Sequence, residues 1–302
     1  MKRILASCLL GLLFLHGASQ IIIQRDQEIE KMVGEINQDS LRSYIRALVG
    51  FGTRHTLSTT QQNTRGIQAA NAWVLSVFNE YTKTSRGRLR VEADKWTQAA
   101  DGKRVDSVVE LTNTMAILEG TDTADKRILI ISGHLDSRAT NIMDRKSDAP
   151  GANDDGSGVA AVMECARVMS PHSFPITIIF AALSGEEQGL LGSEHLAVRA
   201  KQANWNIIGV LNNDIIGGNN MNSLENSGNI SVRVFSEGIP AGLSDSALAS
   251  IRQLGYENDG VSRQLARYVK ETGERYVDNL DIVMIYRVDR FLRGGDQLPF
   301  LK

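Results

Sequence analysis

Four short clusters carry donor atoms that suit a metal ion: Gly133-His134-Leu135-Asp136-Ser137, Asn153-Asp154-Asp155, Glu186-Glu187 and Asp214. A neutral imidazole and carboxylates are ligands that zinc accepts, and two metals can share a bridging carboxylate. The adjacent glutamates permit a division of labour. One carboxylate ligates while its neighbour takes a proton from water that zinc has brought to a pKa of about 7. Asp136 stands two residues beyond His134, on the same side of an extended segment, where a carboxylate can hold the imidazole in one tautomer. Each piece is common by itself. His-x-Asp occurs by chance, a glutamate pair at a helix start favours the helix dipole, and Asp-Asp-Gly-Ser-Gly suits a turn and helix cap. Their order, and their placement at strand ends, give them weight.

The elements that must position these groups can be read from hydrophobic spacing. Gln27 to Val49 reads as a helix, with Ile29, Met32, Val33 and Ile36 near a 3.6-residue period. Gln61 to Tyr81 reads as a second, with Thr64 as a cap and Ala69, Ala70, Trp73, Val74 and Val77 on one face. Leu89 to Thr97 is a strand, and Ser107 to Leu118 is one long strand or two short ones. A βαβαβ alternation follows: strand 127–132, helix 155–169, strand 176–181, helix 190–200, strand 207–211. The strand runs are apolar throughout, as strands buried on both faces are. The expected fold is therefore α/β, a mostly parallel mixed central sheet flanked by helices on both faces. Ser231 to Phe235 adds a strand, Ser244 to Leu254 and Val261 to Thr272 are helices, and Ile282 to Arg287 is a late strand. The helix from Ser244 is amphipathic, with Leu248, Ile251 and Leu254 assigned to the core. In open α/β sheets functional groups collect beyond the carboxyl ends of the strands. His134, Glu186, Glu187 and Asp214 each follow a strand, and Asp154 precedes the helix after the first, so all can face one crevice.

Composition narrows the classes. The 302 residues have an ordinary globular makeup and a net charge of −2, with no basic stripe interleaved with aromatics, so nucleic acid is not an expected partner. Met1-Lys2-Arg3 followed by the apolar stretch Ile4 to Leu15 and Gly17-Ala18-Ser19 reads as a signal peptide, too short to span a bilayer. Leu5-Ala6-Ser7-Cys8 is not a lipoprotein box, because the apolar run lies after the cysteine. Cleavage near Ser19 leaves residues 20–302 as one domain, with no stable membrane span and a net charge of −4, exported to the periplasm or the extracellular space. Cys165 is then the sole cysteine, so an intrachain disulfide is excluded and a buried inert thiol is the simplest reading. Trp73, Trp96 and Trp205 read as packing residues.

Four stretches carry a resemblance to a known family: Ser132–Ser137, Ala149–Gly158 (APGANDDGSG), Ser184–Ser193 (SGEEQGLLGS) and Asn212-Asn213-Asp214. The chain resembles the zinc aminopeptidases of the bacterial leucine aminopeptidase and aminopeptidase Y type, whose wider relatives include glutaminyl cyclases and transferrin receptor. The likeness runs from Thr53-Arg54-His55 to the end. By position it implies that His134 and Asp214 hold one zinc with bridging Asp154, that Glu187 binds a second zinc with Asp154, that Glu186 is the general base, and that Asp136 orients His134. The substrates implied are peptides with a free N-terminus.

One part of the family pattern is missing. The second zinc takes a further histidine late in the chain, and here no histidine follows His195. Gln297, in Gly294-Gly295-Asp296-Gln297, stands where relatives commonly carry histidine, and the closing portion of the pattern is absent. The expectation is a C-terminally truncated chain, with two zinc ions in the complete site. His195 reads as surface or packing, His55 as part of a recurring Thr-Arg-His segment, His172 as a loop residue, and His16 leaves with the leader. Tyr286, Arg287 and Asp289 read equally as pocket residues or as a salt-bridged strand end. Two other readings stay open: a glutaminyl cyclase-like enzyme with one zinc, and a binding module in which catalysis has decayed.

Overall fold

The computed structural model describes residues 24–58, 64–218, 230–239, 243–286 and 294–301; the expected leader lies outside them. The helix expected from Gln27 to Val49 is two helices, α1 (Gln27–Gly34) and α2 (Gln38–Gly50). The break falls at Asn37, whose side-chain oxygen accepts the N–H groups of Asp39 and Ser40. An asparagine cap satisfies the free donors of a new helix and so overrides the continuing apolar period. The second predicted helix begins later than expected, as α3 (Ile67–Thr82). Gly66 at φ +90° precedes it without a side-chain cap, and Thr64 lies in the turn before it. Residues 61–63 of that reading fall outside the described residues.

Strands β1 (Leu89–Gln98), β2 (Val109–Leu118), β3 (Arg127–His134), β4 (Thr177–Leu183) and β5 (Asn206–Asn212) form one sheet in the order β1-β2-β4-β3-β5. β3 pairs in parallel with both β4 and β5, whereas β2 runs antiparallel to β1 and to β4. β2 alone therefore opposes the common direction, and the mixed, mostly parallel sheet is as expected. Helix α4 (Gly156–Met169) links β3 to β4, and α5 (Leu191–Gln202) links β4 to β5.

Period-two alternation sends successive strand residues to opposite faces. Ile178, Phe180 and Ala182 join a core with Leu48, Val74, Phe78 and Met163 from α2, α3 and α4. Ile179, Ala181 and Leu183 join another with Leu196 of α5. Burial on both faces explains the unbroken apolar runs. A smaller cluster, Leu57, Val105, Val109 and Leu111, closes one end.

The remaining described elements are β6 (Ile230–Phe235), α6 (Asp245–Leu254), α7 (Val261–Tyr276), β7 (Leu280–Ile285) and two 3-10 turns, Tyr256–Asn258 and Leu298–Leu301, with β6 and β7 forming a parallel pair. Leu254, assigned to the core from sequence, is 70 % exposed. It ends α6, and Gly255 at φ +68° turns the chain away just beyond it; Ile251 holds the buried position. The late strand stops at Ile285, and Arg287 and Asp289 lie outside the described residues. Among the described residues no helix is long and apolar enough to cross a membrane.

Candidate metal centre

β3 runs two residues further than its apolar run suggests, and its last residue, His134, pairs with Leu183 at the end of β4. This places the imidazole at the carboxyl edge of the sheet, almost fully buried. Asp154 lies just ahead of α4, joined to Asp155 by a cis peptide bond. Asp214 follows β5 by two residues. His134 Nε2 is 3.0 Å from Asp154 Oδ1 and 3.7 Å from Asp214 Oδ1. One ligand atom from each of the three lies within 4.8 Å of the others.

That donor set fits a zinc ion. It offers one imidazole nitrogen and two carboxylate oxygens, the ligand types zinc takes with a position left for water or substrate. Asp214 Oδ1 is buried with no hydrogen-bond partner among the described residues, a cost that a cation at that point removes. The charge balance agrees. Burial pushes the His134 imidazole down, yet Asp136, Asp154 and Asp214 around it hold its pKa well above the ordinary value. Asp154 is held below the usual carboxylate range by His134.

Asp136 is completely buried and works differently from the sequence expectation. Its backbone oxygen, not its carboxylate, is the nearer partner of His134 Nδ1, at 3.0 Å against 3.6 Å. The carboxylate accepts the N–H groups of Gly185 and Glu186 on Oδ1 and of Glu187 on Oδ2, at 2.9 to 3.1 Å, plus the Thr56 hydroxyl at 3.0 Å. Burial pushes this carboxyl up, but His134 and the backbone donors outweigh it and keep it below its ordinary value. Asp136 thus aims the His134 ring with its main chain and pins the glutamate loop with its side chain.

Glu186 is half-buried. Burial, with Asp296, Asp136 and Asp214 adding to it, pushes its carboxyl up to about 8. Glu187 is pushed up to about 7, again chiefly by burial. Its carboxylate receives Arg138 Nε at 2.9 Å, and Arg104 donates to its carbonyl oxygen. Glu187 is not among the three residues whose ligand atoms all lie within 4.8 Å of one another, although Asp154 is near enough to raise its pKa.

Several residues at the site drew no notice as single positions in the sequence. Asp155, buried, caps α4 by accepting Gly158 N–H and also accepts the N–H of His134 and of Ile215. The Asp-Asp-Gly-Ser-Gly run is therefore a helix cap and a ligand site at once. Asp296 lies 1 % exposed with Ser193 as its polar neighbour, and burial pushes it up to about 6. Gly158 and Gly133 permit the close approach of these parts: a Cβ on Gly158 would sit 2.1 Å from Asn213 O, and one on Gly133 would sit 2.7 Å from Gly158 C. Ile215 holds φ +54°, sparsely populated for a β-branched residue, immediately after Asp214.

The other histidines serve packing and turns. His195 stacks on Trp96 at 4.4 Å and faces Asp94 at 3.3 Å. His55 has Ile142 O 2.8 Å from Nε2 and accepts Leu57 N–H on Nδ1. His172 lies 3.7 Å from Glu35. Tyr286, 53 % exposed, packs against Arg263. Cys165 is a free thiol that burial pushes up to about 11, which makes it inert.

A mixed α/β sheet with a histidine–aspartate–aspartate cluster at the carboxyl edge of its strands is an arrangement that suits a metal-dependent hydrolase. The chain belongs to peptidase family M28, whose family model matches residues 113–284. Two fungal relatives each named "Probable zinc metalloprotease" are 42 % identical over 277 residues (Pyricularia oryzae) and 41 % over 276 (Leptosphaeria maculans). Each alignment covers 91 % of this chain, but the chain spans 55 % and 63 % of those relatives' lengths. Among solved structures, the LapA aminopeptidase of Legionella pneumophila superposes with a TM-score of 0.63 at 19 % identity, covering 92 % of this chain and 62 % of that one. A glutaminyl cyclase from an Acidobacteriales bacterium gives 0.53 at 21 %, covering 88 % and 75 %. These structural likenesses establish the shared fold.

Proposed function

We propose that this chain is the catalytic part of a zinc-dependent aminopeptidase that removes N-terminal residues from peptides. The observation that carries the reading is the convergence of His134 Nε2, Asp154 Oδ1 and the unpartnered Asp214 Oδ1 at the carboxyl edge of the sheet. Zinc held there supplies Lewis acidity toward a peptide carbonyl and acidifies a nearby water. Glu186 stands beside this cluster with its carboxylate poorly solvated and its backbone fixed by Asp136. In this role it takes the proton from the attacking water and returns it to the leaving amine, with the charge of a bound zinc lowering the pKa that burial raises in its absence. The acidic surroundings favour the ammonium of a free N-terminus over a blocked one. Glu187 is the candidate ligand of a second zinc shared through Asp154. Export of the protein, from the leader, belongs to the same reading.

The test is release of leucine from a chromogenic leucyl amide by purified protein, loss of activity on chelation, and recovery with added zinc. Full activity in Glu186→Gln would remove the mechanism.

One observation favours a second reading. Glu187 is ion-paired to Arg138, outside a cluster that can hold one metal. A glutaminyl cyclase-like enzyme with a single zinc fits that arrangement. Metal counting and a glutaminyl peptide assay separate the two. Zinc binding with turnover of neither substrate would instead mark a binding module.

A further inference from the structure

We infer that Arg54 is a positioning residue of the metal centre, its guanidinium fixing the spacing between the turn that follows His134 at the end of β3 and the loop that carries Asp154. The inference rests on reading that cluster as a zinc site.

Arg54 is 0 % exposed. Its Nε donates to Leu135 O at 2.7 Å, between His134 and Asp136. Nη1 donates to Leu48 O at 3.0 Å and Pro150 O at 2.8 Å, and Nη2 to Gly151 O at 2.9 Å, three residues before Asp154. One planar fork thus joins the end of α2, the turn after β3 and the loop before α4. The Arg54 main chain repeats the link: its N–H donates to Ser137 Oγ, and that hydroxyl donates to Ala149 O. The loop fits closely around the guanidinium, since a Cβ on Gly151 would lie 3.0 Å from Nη2 and 2.5 Å from Asp154 O. A lysine brings the same charge but cannot reach three segments in one plane.

Burial lowers the Arg54 pKa to about 10, so the group stays charged at neutrality, with Asp136, Asp155 and Asp154 the nearby negative charges that favour this. A cation beside a cation site opposes metal binding by repulsion. Charge and geometry therefore predict opposite signs when Arg54 is replaced.

The experiment is calorimetric zinc titration of the whole chain as wild type, Arg54→Lys and Arg54→Ala, with folding checked by circular dichroism. Positioning requires that both variants lose about 10- to 100-fold in zinc affinity, as loss of groups supporting metal ligands does. It also requires that added guanidinium ion restore part of it in Arg54→Ala. Folded variants that bind zinc as tightly as wild type, or tighter, overturn the inference. If neither variant folds, amide exchange of the metal-free wild type decides. The Ser137 N–H donates to Arg54 O and the Ala149 N–H to Gly52 O. Protection of both amides before zinc is added supports a spacing set by the Arg54 segment, and protection that appears only with zinc overturns it. A wild type that binds no zinc removes the underlying reading instead.

Discussion

The carboxylate of Asp136 binds the backbone of the segment that bears Glu186 more closely than it does the ring of His134. Oδ1 accepts Glu186 N–H at 3.1 Å, while the nearest carboxylate oxygen stays 3.6 Å from His134 Nδ1. One residue therefore couples the candidate ligand to the candidate base: its carbonyl sets the imidazole, and its side chain sets the glutamate loop. Small displacements of that loop move Glu186 relative to the metal, and positioning errors of this kind cost activity steeply.

Replacing Asp136 by alanine leaves three backbone N–H groups without their acceptor, while the Thr56 hydroxyl keeps Gln188 Oε1. Each unsatisfied buried donor costs about 1–3 kcal/mol. Asp136→Ala is expected to lower stability by at least about 2 kcal/mol in denaturant unfolding and to reduce kcat more than zinc affinity. Equal losses in both quantities would mean that Asp136 acts mainly on His134.

His134→Ala and Asp214→Asn should each weaken zinc binding by orders of magnitude while leaving the metal-free fold intact. The Asp214 oxygen at issue makes no hydrogen bond among the described residues and has only a long ion pair to His134 Nε2, at 3.7 Å. Its charge pushes up the carboxyls of Asp155, Glu186 and Asp296, so loss of the charge relieves more repulsion than it removes attraction in the metal-free state. Asp214→Asn should therefore unfold at a temperature equal to or above that of the metal-free wild type. A marked fall in that temperature would show that Asp214 has a structural partner instead.

Stability of the metal-free chain should depend on pH through Glu186. Its folded pKa is raised from 4.5 to about 8, so the folded state keeps a proton that the unfolded chain has released. The sign follows: the contribution is fully present below 4.5 and is lost as pH rises to about 8. The gain in melting temperature from zinc, which needs deprotonated ligands, should grow across the same interval. Glu186→Gln should reduce the slope of the metal-free profile there, the remainder coming from Glu187 and Asp296. A Glu186→Gln profile parallel to wild type from pH 5 to 8 would contradict the assignment.

The close contact of β3, α4 and the chain after β5 depends on glycine. A Cβ on Gly158 would meet Asn213 O at 2.1 Å and the Asp155 carboxylate at 2.5 Å. Overpacking costs about 1–3 kcal/mol. Gly158→Ala should lose at least that in thermal unfolding and weaken zinc binding as well, because it parts Asp154 from Asp214. Unchanged zinc affinity would show that the backbone relaxes without moving the ligands.

The sheet was legible because β3 and β4 are apolar on both faces, and few alternatives suit such runs. His134, Asp154 and Asp214 were legible because strand ends in a parallel sheet share one edge, so order along the chain predicts proximity in space. The helix break at Asn37 was missed because a local cap outweighed a weak periodic signal. Leu254 was misplaced because spacing does not reveal where a helix stops being covered.

Residue type and order were enough to nominate the donor atoms and the sheet edge that gathers them. Only the folded chain decided which atoms meet: the Asp136 carbonyl on His134, its carboxylate on Glu186, Arg138 on Glu187, and Arg54 across three segments. Such pairings depend on side-chain rotamers and on backbone direction in loops. Long-range packing sets both, and neighbours in sequence do not.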